Sequence, residues 1–132
     1  LVEQPRPALG GPVIELPAGL VGDIVGAEDE DRATAAAREL EEETGWRPGR
    51  MVYLTGGPPS AGLSGETLWV YRALALTQID AGGGDDSEDI TVHTVALSDI
   101  DAWLAEREAA GVPVDPKVYT GLYFIRCRPD LV

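Results

Sequence analysis

The segment from Glu30 to Trp46, EDRATAAARELEEETGW, constrains this chain more than any other stretch. Alanine, leucine, glutamate and arginine all favour helix, and neither proline nor glycine interrupts them before Gly45. At about 100° per residue, Ala33, Ala36, Ala37, Leu40 and Thr44 share one sector, the face expected to turn inward. Glu39, Glu42 and Glu43 form a second sector beside it. Their i, i+3, i+4 spacing makes the carboxylates converge. Asp29 is the expected N-cap, with Glu30 and Asp31 in the first turn, where the helix dipole favours negative charge. Gly45 ends the helix and Pro48 lies beyond.

A glutamate-rich helix face is commonly just solvated. Here no lysine stands in the segment, and Arg38 lies beside the acids rather than interleaved through them. Like-charge pairs on a helix cost a few tenths of a kcal/mol each. A divalent cation reverses that balance, because opposite unit charges about 4 Å apart gain about 4 kcal/mol at an effective dielectric of about 20. Oxygen-only ligation suits a hard ion, Mg²⁺ or Mn²⁺.

The rest of the chain frames this helix. A length of 132 residues fits one domain, here residues 1–132, without a disulfide staple. Leu1-Val2-Glu3-Gln4 reads like the interior of a strand, so residues are expected to precede it. Pro5, Pro7, Gly10, Gly11 and Pro12 mark an early loop, and Val13 to Leu16 a short strand. Met51 to Thr55, Thr67 to Leu76 and Ile90 to Val95 read as further strands, the second of them central. Gly56 to Gly62 reads as a loop, and Gly82 to Glu88 as a flexible acidic loop. Two helices close the chain. Ser98 is the expected cap of the first and Gly111 its end; Asp115-Pro116 opens the second, with Val118, Leu122 and Ile125 on one face. Strands interleaved with three helices predict a mixed α/β domain whose sheet is covered by helices.

Twenty-three acids against ten bases give a net charge of −13, which argues against nucleic-acid binding. No apolar run is long enough for a membrane span. The single Cys127 excludes an internal disulfide or a Cys-rich zinc site, and a cytoplasmic location is expected.

Arg38-Glu39-Leu40-Glu41-Glu42-Glu43-Thr44-Gly45-Trp46 resembles the core of the Nudix box, REUxEExGU, where U is apolar. Seven residues separate Glu30 from Arg38, as the box requires, whereas ten rather than five separate Gly19 from Glu30. Further likeness points to the ADP-ribose pyrophosphatase branch. Glu15-Leu16-Pro17-Ala18-Gly19 is similar to its ExPAG segment, and Gln4-Pro5-Arg6 to its QYR. Ser60 to Glu66 is similar to its SPGxxxE loop, and Asp85 to Ile90 to its acidic loop. The resemblance implies the Nudix fold, an α/β/α sandwich around a central mixed β-sheet. It also implies Mg²⁺-dependent hydrolysis of a nucleoside diphosphate sugar, ADP-ribose first, to a nucleoside monophosphate and a sugar phosphate.

By that resemblance Glu39 and Glu43 are the principal metal ligands, and Glu42 a further ligand or a water partner. Ala18 contributes its backbone carbonyl. Arg38 pairs with a box glutamate and fixes its rotamer. Glu30 serves in a cap, a salt bridge or a metal contact. Glu88 joins the metals when substrate binds, and Asp86 stands where the branch has a general base. Arg6 holds a phosphate or the terminal ribose, and Glu66 binds a substrate hydroxyl or orients Arg6. Trp46, Trp69 and Trp103 are expected in the core, Cys127 as a buried thiol, and His93 without a catalytic role. The branch implies a homodimer acting on a small-molecule nucleotide. Competing readings are a Nudix pyrophosphatase for GDP-mannose or a nucleoside triphosphate, a non-catalytic ligand-sensing Nudix domain, and an acidic calcium-binding module. The last lacks an EF-hand loop.

Overall fold

A computed structural model describes residues 1–26, 28–85 and 87–131. Strand β1 (Val2–Arg6) turns through a short 3-10 segment (Pro7–Leu9) into β2 (Gly11–Glu15). The two pair antiparallel from Val2↔Glu15 to Arg6↔Gly11. The early loop expected from its prolines is therefore mostly hairpin. Pro5 faces Pro12 across the ladder, both exposed, where a missing N–H is tolerated.

Helix α1 (Arg32–Thr44) follows the loop after β2. Its N-cap is Asp31 rather than Asp29, and its carboxylate accepts from Ala33 N–H at 3.1 Å and Thr34 N–H at 3.4 Å. Gly45 ends the helix in the left-handed conformation (φ 72°). Next come β3 (Trp46–Arg47), β4 (Arg50–Gly57), β5 (Leu68–Leu74), β6 (Thr77–Gln78) and β7 (Thr91–Val92). Helices α2 (Ile100–Ala109) and α3 (Pro116–Cys127) close the chain.

Among the described residues the strands form antiparallel sheets in the orders β2-β1-β7, β3-β6 and β4-β5. The parallel component is a single bridge, Ile14↔Val114, closed by Ile14 N–H to Pro113 O and Asp115 N–H to Ile14 O, both 2.9 Å. β4 continues through Gly56 and Gly57, which pair with Trp69 and Leu68, so the loop starts later than its glycines suggest. A bulge between Tyr53 and Thr55 lets Leu54 turn into the interior. β5, expected to be central, pairs with β4 alone among the described residues. The strand expected over Ile90 to Val95 shrinks to Thr91–Val92, because only Val2 and Glu3 pair with it.

The core gathers Ile14, Ile100, Leu104, Val118 and Leu122, with Trp103 packed against it. It thus joins β2 to α2 and α3, while α1 lies against β3, β4 and β5. α2 starts from Asp99, not Ser98, whose hydroxyl instead bonds the Asp99 carboxylate at 3.0 Å. α3 opens as its sequence predicts, with Asp115 accepting from Lys117 N–H at 2.7 Å and Pro116 in the first turn. No helix among the described residues is long and apolar enough to cross a membrane.

The inward face of α1 differs from the apolar sector. Its buried residues are Ala35, Glu43 and Thr44, while Ala33, Ala36, Ala37 and Leu40 are half-buried. The helix is rotated so that the row Ala35, Glu39, Glu43, spaced every fourth residue, turns toward the chain leaving β2.

Candidate active site

That row is held inward by contacts with a segment distant in sequence. Beyond Glu15 the segment Leu16-Pro17-Ala18-Gly19 runs past it. Ala18 N–H donates to Glu43 Oε2 at 3.1 Å. Gly19 lies so close to Glu39 that a methyl group in its place would overlap the carboxylate, and only glycine lets the backbone approach this far. Glu43 is 2% exposed, and among the described residues its carboxylate has no side-chain hydrogen-bond or ion-pair partner.

Arg38 collects the neighbouring acids. Its Nη1 donates to Glu39 Oε1 at 2.7 Å and to Glu42 Oε2 at 3.2 Å. Its Nε and Nη2 reach the two Glu30 oxygens at 3.3 Å each. Nη2 also reaches Asp23 Oδ1 at 3.3 Å and the Leu20 carbonyl at 3.4 Å. Glu30 is therefore an ion-pair partner of Arg38, and the cap belongs to Asp31. The Glu42 side chain is 55% exposed, so the close convergence is between Glu39 and Glu43, with Glu42 at the rim.

The charges on this row work against each other. Burial, reinforced by Glu39, Glu88 and Glu15, pushes the Glu43 carboxyl up to about 7, against the lowering effect of the Ala18 N–H. Burial also raises the Glu39 carboxyl; Arg38 offsets this, while Glu42 and Asp23 add to it. The hydrogen bond to Glu30 leads the causes that hold Arg38 firmly protonated.

The acidic loop reaches this row because its glycines dock on the end of α1. Gly83 N–H donates to the Glu43 carbonyl at 2.8 Å and Gly84 N–H to the Glu42 carbonyl at 3.1 Å. A side chain at Gly82 would run into the backbone of Thr44 and Gly45. These N–H groups occupy carbonyls that a helix end leaves open. Glu88 then folds back, its Oε2 accepting from Asp85 N–H at 3.0 Å. Asp86 lies outside the described residues.

The donor set fits a hard dication: oxygen only, net negative, and without a base on Glu43. Among the described residues, no three Asp, Glu, His or Cys side chains form a complete cage for one.

Arg6 forms a two-pronged pair with Glu15, Nε to Oε1 and Nη2 to Oε2, both 2.7 Å. The group that orients Arg6 is thus Glu15, not Glu66, which is exposed and has no ion pair among the described residues. Glu15 heads the Glu15–Gly19 motif, and nothing near it in the sequence marks Arg6 as its partner. Asp115 adds to the field on Arg6, and Lys117 pairs with Asp115. A cavity of about 400 Å³ opens there, lined by Thr55, Gly57, Pro58, Asp115, Lys117 and Thr120. An apolar cavity of about 170 Å³ lies between Pro17, Ala18, Leu40 and Trp69.

Trp46 and Trp103 are half-buried, as core residues are, but Trp69 is exposed. It faces Gly56 across the ladder, so no side chain covers it there, and the Arg32 guanidinium stacks 4.0 Å from its ring centre. Cys127 is exposed rather than buried, because the last turn of α3 carries it opposite Val118 and Leu122. His93 pairs with Glu3 at 2.8 Å and leans on Trp103.

Comparison with known proteins adds to this geometry. A family model described as "NUDIX domain" matches residues 1–119. The chain is 32% identical over 108 residues to the methanol dehydrogenase activator of Bacillus methanolicus, covering 81% of this chain and 56% of that protein. It is 30% identical over 132 residues to the ADP-ribose pyrophosphatase of Bacillus subtilis, covering 99% of this chain and 66% of that protein. It is 32% identical over 124 residues to the ADP-ribose pyrophosphatase of Saccharomyces cerevisiae, covering 89% of this chain and 51% of that protein. The chain therefore spans between half and two thirds of the length of these relatives.

Proposed function

The chain belongs to the NUDIX family, and from that premise we propose that it hydrolyses the pyrophosphate bond of a nucleoside diphosphate sugar, ADP-ribose first, with Mg²⁺ or Mn²⁺. One observation carries the reading. Glu39 and Glu43 are held on one inward row, and among the described residues Glu39 has an ion-pair partner while Glu43 has none. A buried carboxylate that has no ion-pair partner among the described residues and lies in the field of three other acids suits a cation.

Glu39, Glu43 and the Ala18 carbonyl would hold the ion, with Glu42 at its rim and Glu88 joining from the loop. Such an ion neutralises phosphate oxygens and acidifies water. The chain's own residues do the rest. Arg38 keeps Glu39 in place through the shared guanidinium. Gly19 and Ala18 hold the carboxylates against the backbone. Asp86, at the position where the branch has its general base, takes the proton of the attacking water. The phosphorus–oxygen bond of the anhydride then breaks, leaving a nucleoside monophosphate and a sugar phosphate. Arg6 contacts a phosphate or the terminal ribose, and Glu66 a substrate hydroxyl. On this reading residues 1–132 act as one cytoplasmic hydrolase domain, in a homodimer.

Incubating the protein with ADP-ribose, GDP-mannose and nucleoside triphosphates, each with Mg²⁺ or Mn²⁺, tests this directly. Cleavage of ADP-ribose to AMP and ribose phosphate supports the proposal. Turnover of a different nucleotide corrects the substrate, and no turnover of any overturns the enzymatic reading.

A further inference from the structure

The loop Leu20 to Asp29 does more than connect β2 to α1. Gly22 comes close to the Glu28 carbonyl, Gly26 N–H donates to Glu28 Oε1 at 3.0 Å, and two acceptors of this loop reach one guanidinium. These are the Leu20 carbonyl and the Asp23 carboxylate, both on Nη2 of Arg38. Nη1 of the same group is the one that grips Glu39 and Glu42. The planar fork of arginine is rigid, so what holds one nitrogen aims the other.

We infer that Asp23 is a positioning residue, which acts through Arg38 to keep the Glu39 carboxylate oriented for a divalent cation. The inference rests on the metal reading above and extends it to a residue outside the helix. Four carboxylates, Asp23, Glu30, Glu39 and Glu42, surround the single cationic group. Each one removed shifts the guanidinium toward those that remain. Removing Asp23 sends it toward Glu39 and Glu42, where it competes with an incoming ion. The same removal takes a negative charge from the neighbourhood, which lowers cation affinity in the same direction. An isolated pair with an acid 43% exposed contributes little to stability, but Arg38 is only 19% exposed and bound on every side, so its orientation responds to each partner.

The test is calorimetric titration of the nucleotide-free protein with Mn²⁺ alone, on the native chain, Asp23→Ala, Asp23→Asn, Asp23→Glu and Glu43→Gln. Residues in direct contact with metal ligands typically alter affinity by about 10–100-fold, and Asp23 acts one contact further out, so Asp23→Ala is expected to weaken Mn²⁺ binding about fivefold. Asp23→Asn, which keeps the shape, shifts it the same way, and Asp23→Glu restores most of the affinity. In turnover assays the Mg²⁺ concentration for half activation rises while kcat at saturating Mg²⁺ stays near the native value. A lowered ion-free Tm with unchanged Mn²⁺ affinity in Asp23→Ala and Asp23→Asn overturns the inference, as does a failure of Asp23→Glu to rescue. Should Glu43→Gln also bind Mn²⁺ like the native chain, the metal reading itself falls, and with it this inference.

Discussion

Replacing Glu43 by glutamine should stabilise the ion-free protein while destroying its activity. The side chain is 2% exposed, and Glu39, Glu88 and Glu15 all act on it through space. Glutamine keeps the shape, and its amide oxygen still accepts from Ala18 N–H; the charge is lost, and the new amide N–H groups face neighbouring carboxylates that accept hydrogen bonds. Raising the carboxyl from its ordinary 4.5 to about 7 corresponds to about 3 kcal/mol at 1.36 kcal/mol per pH unit. Solvent screening of the neighbouring acids reduces this to about 1.5 kcal/mol. For a domain of this size that is a rise in Tm of about 5 °C.

The folded chain holds the Glu43 proton more tightly than the unfolded chain does, so the charged form is the one that opposes folding. The gain from glutamine is therefore absent below pH 4.5, grows as pH rises and is complete above about pH 7. Thermal melts in chelator at pH 4 and pH 8 measure it. With millimolar Mg²⁺ at pH 8 the order inverts, because the native chain gains from binding and the variant does not. A Glu43→Gln protein that melts below the native chain in chelator at pH 8, or that keeps the full Mg²⁺ shift, refutes the reasoning.

Three further outcomes follow from named contacts. Gly19→Ala must push the Glu39 carboxylate aside, so Mg²⁺-dependent turnover should fall by at least about tenfold; native-like kinetics would show that the backbone approach is unimportant. Arg6→Ala leaves the buried Glu15 carboxylate unpaired and should lower stability by about 2 kcal/mol in urea melts, a value near zero arguing against the pair. Cys127 should react fully with a thiol reagent in the native protein without loss of activity, whereas labelling only after denaturation would place it inside.

Much of α1 is legible in the sequence, because helix propensity, the glutamate spacing and the Gly45 stop all agree. Asp115-Pro116 is equally plain, since capping chemistry is local. The inward turn of Glu43 is not legible. Apolarity assigns the inside of a helix to alanines and leucine, whereas the Pro17–Gly19 segment, distant in sequence, covers the carboxylate row instead. Asp23 is hidden for the same reason, since nothing near it in the chain announces Arg38 as its partner. The glycines before Glu88 read as freedom to move, yet they serve close approach to the end of α1. Pro5 and Pro12 read as loop because the hairpin that seats both at exposed positions is a tertiary fact. Trp69 reads as core until Gly56 is found opposite it.

If Glu39 and Glu43 together hold a hard dication, anomalous diffraction from crystals soaked in Mn²⁺ will locate it between them. A peak within bonding distance of both carboxylates, lost in Glu43→Gln crystals, is the predicted result. Mn²⁺ density elsewhere on the surface, with these two side chains ion-free at saturating concentration, would contradict it.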